Sequence, residues 1–328
     1  MPVIDVHTHM LNQTWLDLIR EYGAPRYRVE KNLRGTESII SDGTLFLTPF
    51  PEHMDYKVRI KDMDEGGVDV AIVSLTGMNC FFGPPEISLK AAQVVNDEMA
   101  EAQRTWPDRI RWLASIPFEH PELAVPELKR AHKNGAVGVM VMANINGRHL
   151  TDPLFAPVWQ AIDDLALPVL VHPSTPPGAP ELQIGEFNLA PALGFMIDTS
   201  LSVARLIMGG FLDKYPNLKI IASHAGATLP YIVGRMDICW LSQSRITKTA
   251  IPVPPSEYMS RIYYDAVTYR MESLQLCIQV GGDDNIMYGS DYPHSIGDMV
   301  GCLARVNALS PKVREKARHR NAERIFKL

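Results

Sequence analysis

Eight short runs rich in Val and Ile recur along the chain, and most of the intervals between them carry helical periodicity. The runs are Val3–His7, Val68–Ser74, Ile110–Ile116, Val137–Ala143, Pro168–His172, Leu218–His224, Ile262–Val267 and Asn285–Asp291. Segments such as Ile87–Trp106, Glu122–Asn134 and Phe155–Leu165 repeat apolar residues at the 3.6-residue period of a helix. Strands alternating with helices build βαβ units on a parallel sheet, because a parallel neighbour is reached only by a crossover. Eight such units predict an α/β fold, a closed (β/α)8 TIM barrel. The rival is an open doubly wound sheet, which is weakened because no glycine-rich phosphate loop follows the first run.

The chain has 328 residues, somewhat more than the roughly 250 of a typical barrel, so one domain spanning residues 1–328 with an insertion is expected. The insertion is placed at about residues 10–56. There, between Met10 and Tyr56, the alternation lapses into mixed Gly, Pro and aromatic content that predicts a subdomain or lid over the barrel mouth. A second irregular stretch, Pro173–Leu193, follows His172 directly, and long irregular loops in compact domains are usually functional.

Composition excludes several classes. Hydrophobic residues are 46% and charged residues 21% of the chain, the balance of an ordinary globular protein. The net charge of −5 is scattered, with no basic block to bind nucleic acid and no polybasic run to meet a membrane surface. No stretch approaches the roughly 18 uninterrupted apolar residues of a spanning helix, and the N-terminus carries no signal-like segment. Cys80, Cys239, Cys277 and Cys302 are far apart and form no CxxC pair, which favours a reducing compartment and a cytoplasmic location.

The ends of the runs carry the chemistry-bearing residues. Asp5-Val6-His7-Thr8-His9 closes the first, and alternation along a strand points His7 and His9 the same way. Histidines end or follow the fifth and sixth runs at His172 and His224, and Asp291 ends the eighth in Gly289-Ser290-Asp291-Tyr292-Pro293. Any one of them alone is compatible with a helix cap or a satisfied core group. Five polar residues at the C-terminal ends of barrel strands, where barrel enzymes keep their active sites, predict a metal site. Three histidines and a carboxylate suit zinc, with manganese or cobalt as alternatives. The fourth run, Val137–Ala143, offers no bridging carboxylate or lysine, so one divalent metal is expected.

These motifs resemble the amidohydrolase superfamily, in the amidohydrolase-related branch that contains aminocarboxymuconate semialdehyde decarboxylase and other metal-dependent nonoxidative decarboxylases. The resemblance rests on His7-Thr8-His9, the segment Arg59–Asp69, Val171-His172-Pro173, Ser223-His224-Ala225-Gly226, Gly234-Arg235-Met236-Asp237, Pro254–Tyr258 and Gly289–Pro293. It implies that His7, His9, His172 and Asp291 hold the metal, with Asp291 also able to relay protons. It further implies that His224 is the acid–base or polarising group. Arg235 is implied to reach a substrate carboxylate across a homodimer interface. The branch's additional substrate arginine is missing from Gly43–Phe50; Arg34 and Arg59 are the replacements considered. His294 stands after Tyr292-Pro293 where the branch has an aromatic residue.

The expected enzyme is therefore a carboxy-lyase: a metal-dependent nonoxidative decarboxylase of a hydroxylated or amino-substituted aromatic or unsaturated carboxylic acid. It would use a metal-bound water or oxygen together with His224. The alternative is a hydrolase (C–C, ester or lactone) or hydratase of a small carboxylated compound, which would use the same residues. Phe46 and Phe50 favour a ring in the substrate, and Phe81 and Phe82 are candidates for an apolar pocket, with plain packing as the competing reading. Arg235 competes with a surface ion pair to Asp237, and Asp265 is either a support for a ligand or a loop cap. His53, His120, His132, His149 and His319 receive no role.

Overall fold

A computed structural model describes residues 1–32 and 34–328. All eight expected strands form: β1 (Ile4–His9), β2 (Val70–Ser74), β3 (Ile110–Ala114), β4 (Gly138–Met142), β5 (Pro168–His172), β6 (Lys219–Ala222), β7 (Tyr263–Asp265) and β8 (Ile286–Met287). They lie side by side in chain order in one sheet. Every neighbouring pair that carries a register is parallel. Helices cross over outside them, including Pro85–Thr105, Pro121–Lys133, Ala156–Asp164, Phe195–Met208, Leu229–Ser244 and Met271–Gly281. Pro at the first helical position fits several of these starts, since it has no N–H to leave unsatisfied.

The sheet closes on itself beyond the short β8. Val6 N donates to Tyr288 O at 3.0 Å, His9 N to Tyr292 O at 2.8 Å, and Thr8 bridges Tyr292 in the parallel sense. Buried Asp5 reinforces this seam by accepting from Ser290 Oγ at 2.5 Å and Ser290 N at 3.2 Å. Val3, Val6, Ile72, Trp112, Val139, Leu170 and Ile221 are fully excluded from solvent. Several strand ends differ from the sequence expectation, and two of the differences bear on the site. β6 stops at Ala222 and β8 at Met287, so His224 and Asp291 sit in the loops just beyond, each with a left-handed backbone at φ 55° and 58°.

The insertion is more regular than its composition suggested. Helix Gln13–Tyr22 is capped by Asn12, whose side chain accepts from Trp15 N. Strands Tyr27–Lys31, Glu37–Ser41 and Thr44–Leu47 then form an antiparallel sheet. The turn joining the last two is Asp42-Gly43, both at positive φ, the hairpin pair whose twist suits the flanking strands. The run Glu186–Met208 reaches the length and mean hydropathy of a membrane-spanning helix, unlike the expectation from the sequence. It is broken at Phe187, where φ is 52°, carries buried Asp198, and buries 44% of its most apolar window within the molecule.

Arg59, on helix Tyr56–Gly66, corrects one sequence expectation. It is wholly buried behind β1, donating to Thr8 Oγ1 at 2.7 Å, to Met10 Sδ at 2.9 Å and to the His9 carbonyl. Its guanidinium lies 4.7 Å from the centroid of the Tyr292 ring. This arginine ties β1 to the loop after β8 and faces away from the cavity. Arg59→Ala should therefore cost about 2–4 kcal/mol of stability, since it strands buried acceptors and empties the seam. Urea unfolding measures this, and KM for any substrate should change little. An increase in KM without loss of stability would restore a substrate role.

Candidate metal centre

His7 and His9 project into the barrel from β1, His172 from the end of β5, and Asp291 from the loop after β8. Their ligand atoms lie within 4.8 Å of one another, and all four residues are buried. In each histidine the outer ring nitrogen is already engaged. His7 Nδ1 meets Asp265 Oδ2 at 2.7 Å, His9 Nδ1 the Leu75 carbonyl at 2.8 Å, and His172 Nδ1 the Pro173 carbonyl at 3.0 Å. Carbonyl and carboxylate acceptors fix Nδ1 as the protonated nitrogen, so all three rings present Nε2 to the centre. Asp291 Oδ1 faces these nitrogens at 3.2 Å from His7, 3.1 Å from His9 and 3.8 Å from His172.

This geometry fits one divalent ion. Buried polar atoms are almost always hydrogen-bonded, yet His7 Nε2 and His172 Nε2 are buried and make no hydrogen bond. The electrostatics point the same way. Burial disfavours a charged His7, but the carboxylates of Asp265 and Asp291 outweigh it and push its pKa up to about 10. Burial holds His9 down to about 3 and His172 down to about 4. Two buried carboxylates thus require one positive charge at the centre, and in the metal-free protein the proton on His7 supplies it. β4 contributes no carboxylate or lysine to a second ion.

His224 stands beside this cluster. Its Nε2 is 3.4 Å from Asp291 Oδ2, the oxygen that does not face the other three rings, and its Nδ1 is 3.2 Å from Ser223 Oγ. Asp265 holds the left-handed turn in place. Oδ2 accepts from His224 N at 2.9 Å, while Oδ1 accepts from Ala225 N and Val267 N at 3.0 Å each. The two readings of Asp265, ligand support and loop cap, are therefore both true of one carboxylate.

The cluster forms part of the lining of a cavity of about 1770 Å³. Phe46 lines it, as the sequence suggested. Phe81 and Phe82 do not; they are 3% and 6% exposed and belong to the core, the packing reading. Arg235 lies on helix Leu229–Ser244, exposed and outside the lining of this cavity. It makes no ion pair with Asp237 among the described residues, and Asp237 instead accepts from Ser256 N at 2.9 Å.

Other residues of the cavity wall were given no role from the sequence, although His294 was noted there as a departure from the branch. His294 enters the cavity wall with Nε2 2.8 Å from Thr76 Oγ1 and its ring 4.6 Å from that of His9. Behind it lies His53 at 5.6 Å, given no role from sequence; burial pushes both rings down to about 3 and keeps them neutral. Asn144, also in the lining, donates to the Thr175 carbonyl and to buried Asp198, each at 3.0 Å, and Asp198 accepts from Ser174 N at 2.9 Å. That clamp holds the segment after His172. The position of His294 next to Tyr292-Pro293 was the available signal for it. No local pattern marks Thr76, Asn144 or Asp198.

Metal binding to this centre must displace the His7 proton, so affinity should weaken as pH falls and about one proton should be released per ion near neutral pH. Titration calorimetry in buffers of different ionisation enthalpy reads this directly. A heat independent of buffer would remove His7 from the ligand set.

Comparison with known proteins agrees with this geometry. The family described as amidohydrolase matches residues 4–328. The gamma-resorcylate decarboxylase of a Polaromonas strain is 30% identical over 286 residues, covering 82% of this chain and 86% of that protein. The 2-amino-3-carboxymuconate-6-semialdehyde decarboxylase of Dictyostelium discoideum is 27% identical over 300 residues, covering 90% and 83%. Among solved structures, a dihydroxybenzoic acid decarboxylase from Polaromonas with bound manganese and the inhibitor 2-nitroresorcinol superposes with a TM-score of 0.81, at 26% identity and over 100% and 97% of the two chains. A manganese-bound 5-carboxyvanillate decarboxylase from Novosphingobium aromaticivorans gives 0.85, with the same identity and coverage. A match that runs from β1 to the last residue, together with the ligand set at the barrel mouth, makes this chain a member of the amidohydrolase family.

Proposed function

We propose that the protein is a metal-dependent nonoxidative decarboxylase of a hydroxylated aromatic carboxylic acid. One observation carries this reading: three imidazole Nε2 atoms and Asp291 Oδ1 converge at the edge of a large, partly apolar cavity, with His224 against the other oxygen of Asp291. The named relatives, which decarboxylate such acids or related unsaturated ones, support it.

His7, His9, His172 and Asp291 would hold the ion. A divalent ion bound there supplies positive charge that draws in the substrate's anionic oxygens and stabilises negative charge as it develops. The chain's own residues do the rest. The bond between the ring carbon and the carboxyl carbon breaks, carbon dioxide departs, and the ring carbon takes up a proton. His224 and Asp291, 3.4 Å apart, are placed to hold that proton and deliver it. Asp265 keeps His224 aimed by fixing its backbone. Phe46 offers an apolar face to the substrate ring.

Three histidines and one carboxylate favour zinc as the ion, and the manganese-bearing neighbours make manganese the comparison ion for reconstitution. A homodimer is supported by helix Leu229–Ser244. Tyr231, Arg235 and Ile238 share one stripe of that helix; Tyr231 is 83% and Ile238 67% exposed, and Tyr231 also lines the cavity. In such a dimer Arg235 would serve the partner's cavity, since it does not line its own. Four free cysteines, three of them buried, suit a cytoplasmic setting.

The reading is tested by assaying metal-loaded protein on ortho-hydroxy and ortho-amino benzoic acids and dienoic acids for carbon dioxide release, with esters and lactones assayed in parallel for hydrolysis. A neutral ester or lactone turned over faster than every acid would replace the decarboxylase with a hydrolase. His224→Ala should keep its metal and lose about 10²–10⁴-fold in kcat; near-normal turnover would make His224 structural. Mixing Arg235→Ala protein with an Asp291→Ala partner should restore part of the activity in exchanged dimers. No recovery after demonstrated subunit exchange would exclude a role for Arg235 in the partner's cavity.

A further inference from the structure

The cavity is larger than a single-ring acid needs. Its volume of about 1770 Å³ exceeds the roughly 300–1,000 Å³ of usual small-molecule sites. Part of the excess is bounded by a continuous apolar strip that begins shortly after His172. Pro176 and Ile184 both close on Gly194, where an added Cβ would meet Ile184 Cδ1 at 2.7 Å and Pro176 Cδ at 3.6 Å. The next residue, Phe195, brings its ring to 6.2 Å from that of Phe46. Phe46 lies over Gly77, where a Cβ would meet its Cζ at 2.1 Å. Pro176, Ile184, Phe195 and Phe46 all line the cavity. Leu45 and Phe50 extend the apolar surface on the insertion side and are 58% and 42% exposed.

We propose that the substrate's ring carries an apolar substituent several carbons long, seated against Pro176, Ile184, Phe195 and Phe46. This rests on the decarboxylase reading and narrows its substrate class. Pro176 and Ile184 are already buried and back the strip, while the rings of Phe46 and Phe195 are half-buried; small polar acids would leave those rings wetted, whereas an alkyl or aryl extension covers them. The strip also joins the two segments that depart from a plain barrel, the insertion and the loop after β5. Both are thereby used as walls for one ligand group.

The test is a chain-length series. Metal-loaded protein is assayed with 2-hydroxybenzoate and 2,4-dihydroxybenzoate carrying alkyl groups from methyl to heptyl at position 4 or 6 as chemistry permits. Binding of the matching alkylresorcinols, which carry no carboxylate to lose, is measured separately by calorimetry. At one ring position kcat/KM should climb, and the resorcinol Kd should fall, by about fourfold per methylene until the strip is covered. Ile184→Trp, which narrows the space, should shrink the ratio between the longest and the unsubstituted ligand. Should that variant misfold, the resorcinol series on the unmodified protein still decides. Affinity that is flat or falls with chain length at every position overturns the proposal, including the case in which a partner protomer fills the space. Rising resorcinol affinity with no carbon dioxide release from any acid would instead sustain the apolar seat and overturn the decarboxylase reading.

Discussion

The structure of the site depends on the buried carboxylate of Asp265. One side chain accepts from His7 Nδ1 and from three backbone N–H groups in two neighbouring loops, those of His224, Ala225 and Val267. Burial by itself would favour the neutral acid, but these donors and the charge on His7 hold Asp265 below the usual carboxylate range, so it stays ionised. Its charge fixes the tautomer of His7, and its geometry holds two successive left-handed residues, His224 and Ala225, at φ 55° and 54°. Such backbone positions are uncommon outside glycine and persist where surrounding contacts over-determine them. A single group therefore positions both His7 and His224.

Barrel closure supplies the other half of the centre. Asp291 comes from the far end of the chain, and only the seam between β1 and the segment after β8 brings it against His7 and His9. Arg59 from behind and Asp5 from within secure that seam. The seam is polar because it must hold a loop, since β8 is two residues long and cannot do so with ladder bonds alone. Asp291 can then divide its oxygens, one toward three imidazoles and one toward His224. That division puts one carboxylate oxygen in the histidine cluster and the other against His224.

The walls follow from where the chain leaves the repeat. The antiparallel sheet of the insertion and the loop after β5 rise over the C-terminal mouth, the end at which barrel enzymes keep their chemistry. Asn144 and Asp198 clamp the loop where it leaves His172, so the ligand and the wall share an anchor. Burial raises Asp198 to about 6, a cost that its hydrogen bonds partly offset.

Much of this was legible in the sequence because its signals are local. Val-rich runs and the helical period revealed eight strands and a barrel. The position of His7, His9, His172, His224 and Asp291 after apolar runs marked the metal centre, since a barrel gathers strand ends at one mouth. Asp42-Gly43 also carried its hairpin in the sequence, unread among irregular neighbours. What tertiary structure alone decided concerns direction and distance. Arg59 and Phe81 had the right composition for a binding site, but helix orientation and the course of a loop turned them inward. His53, dismissed for lacking a strand end, came to lie behind His294. Asp265 reaches His7 across 258 residues, and no local period records which partner a buried carboxylate will find. Local periodicity fixes which elements form and which of their faces are apolar; closure of the barrel fixes which side chains meet.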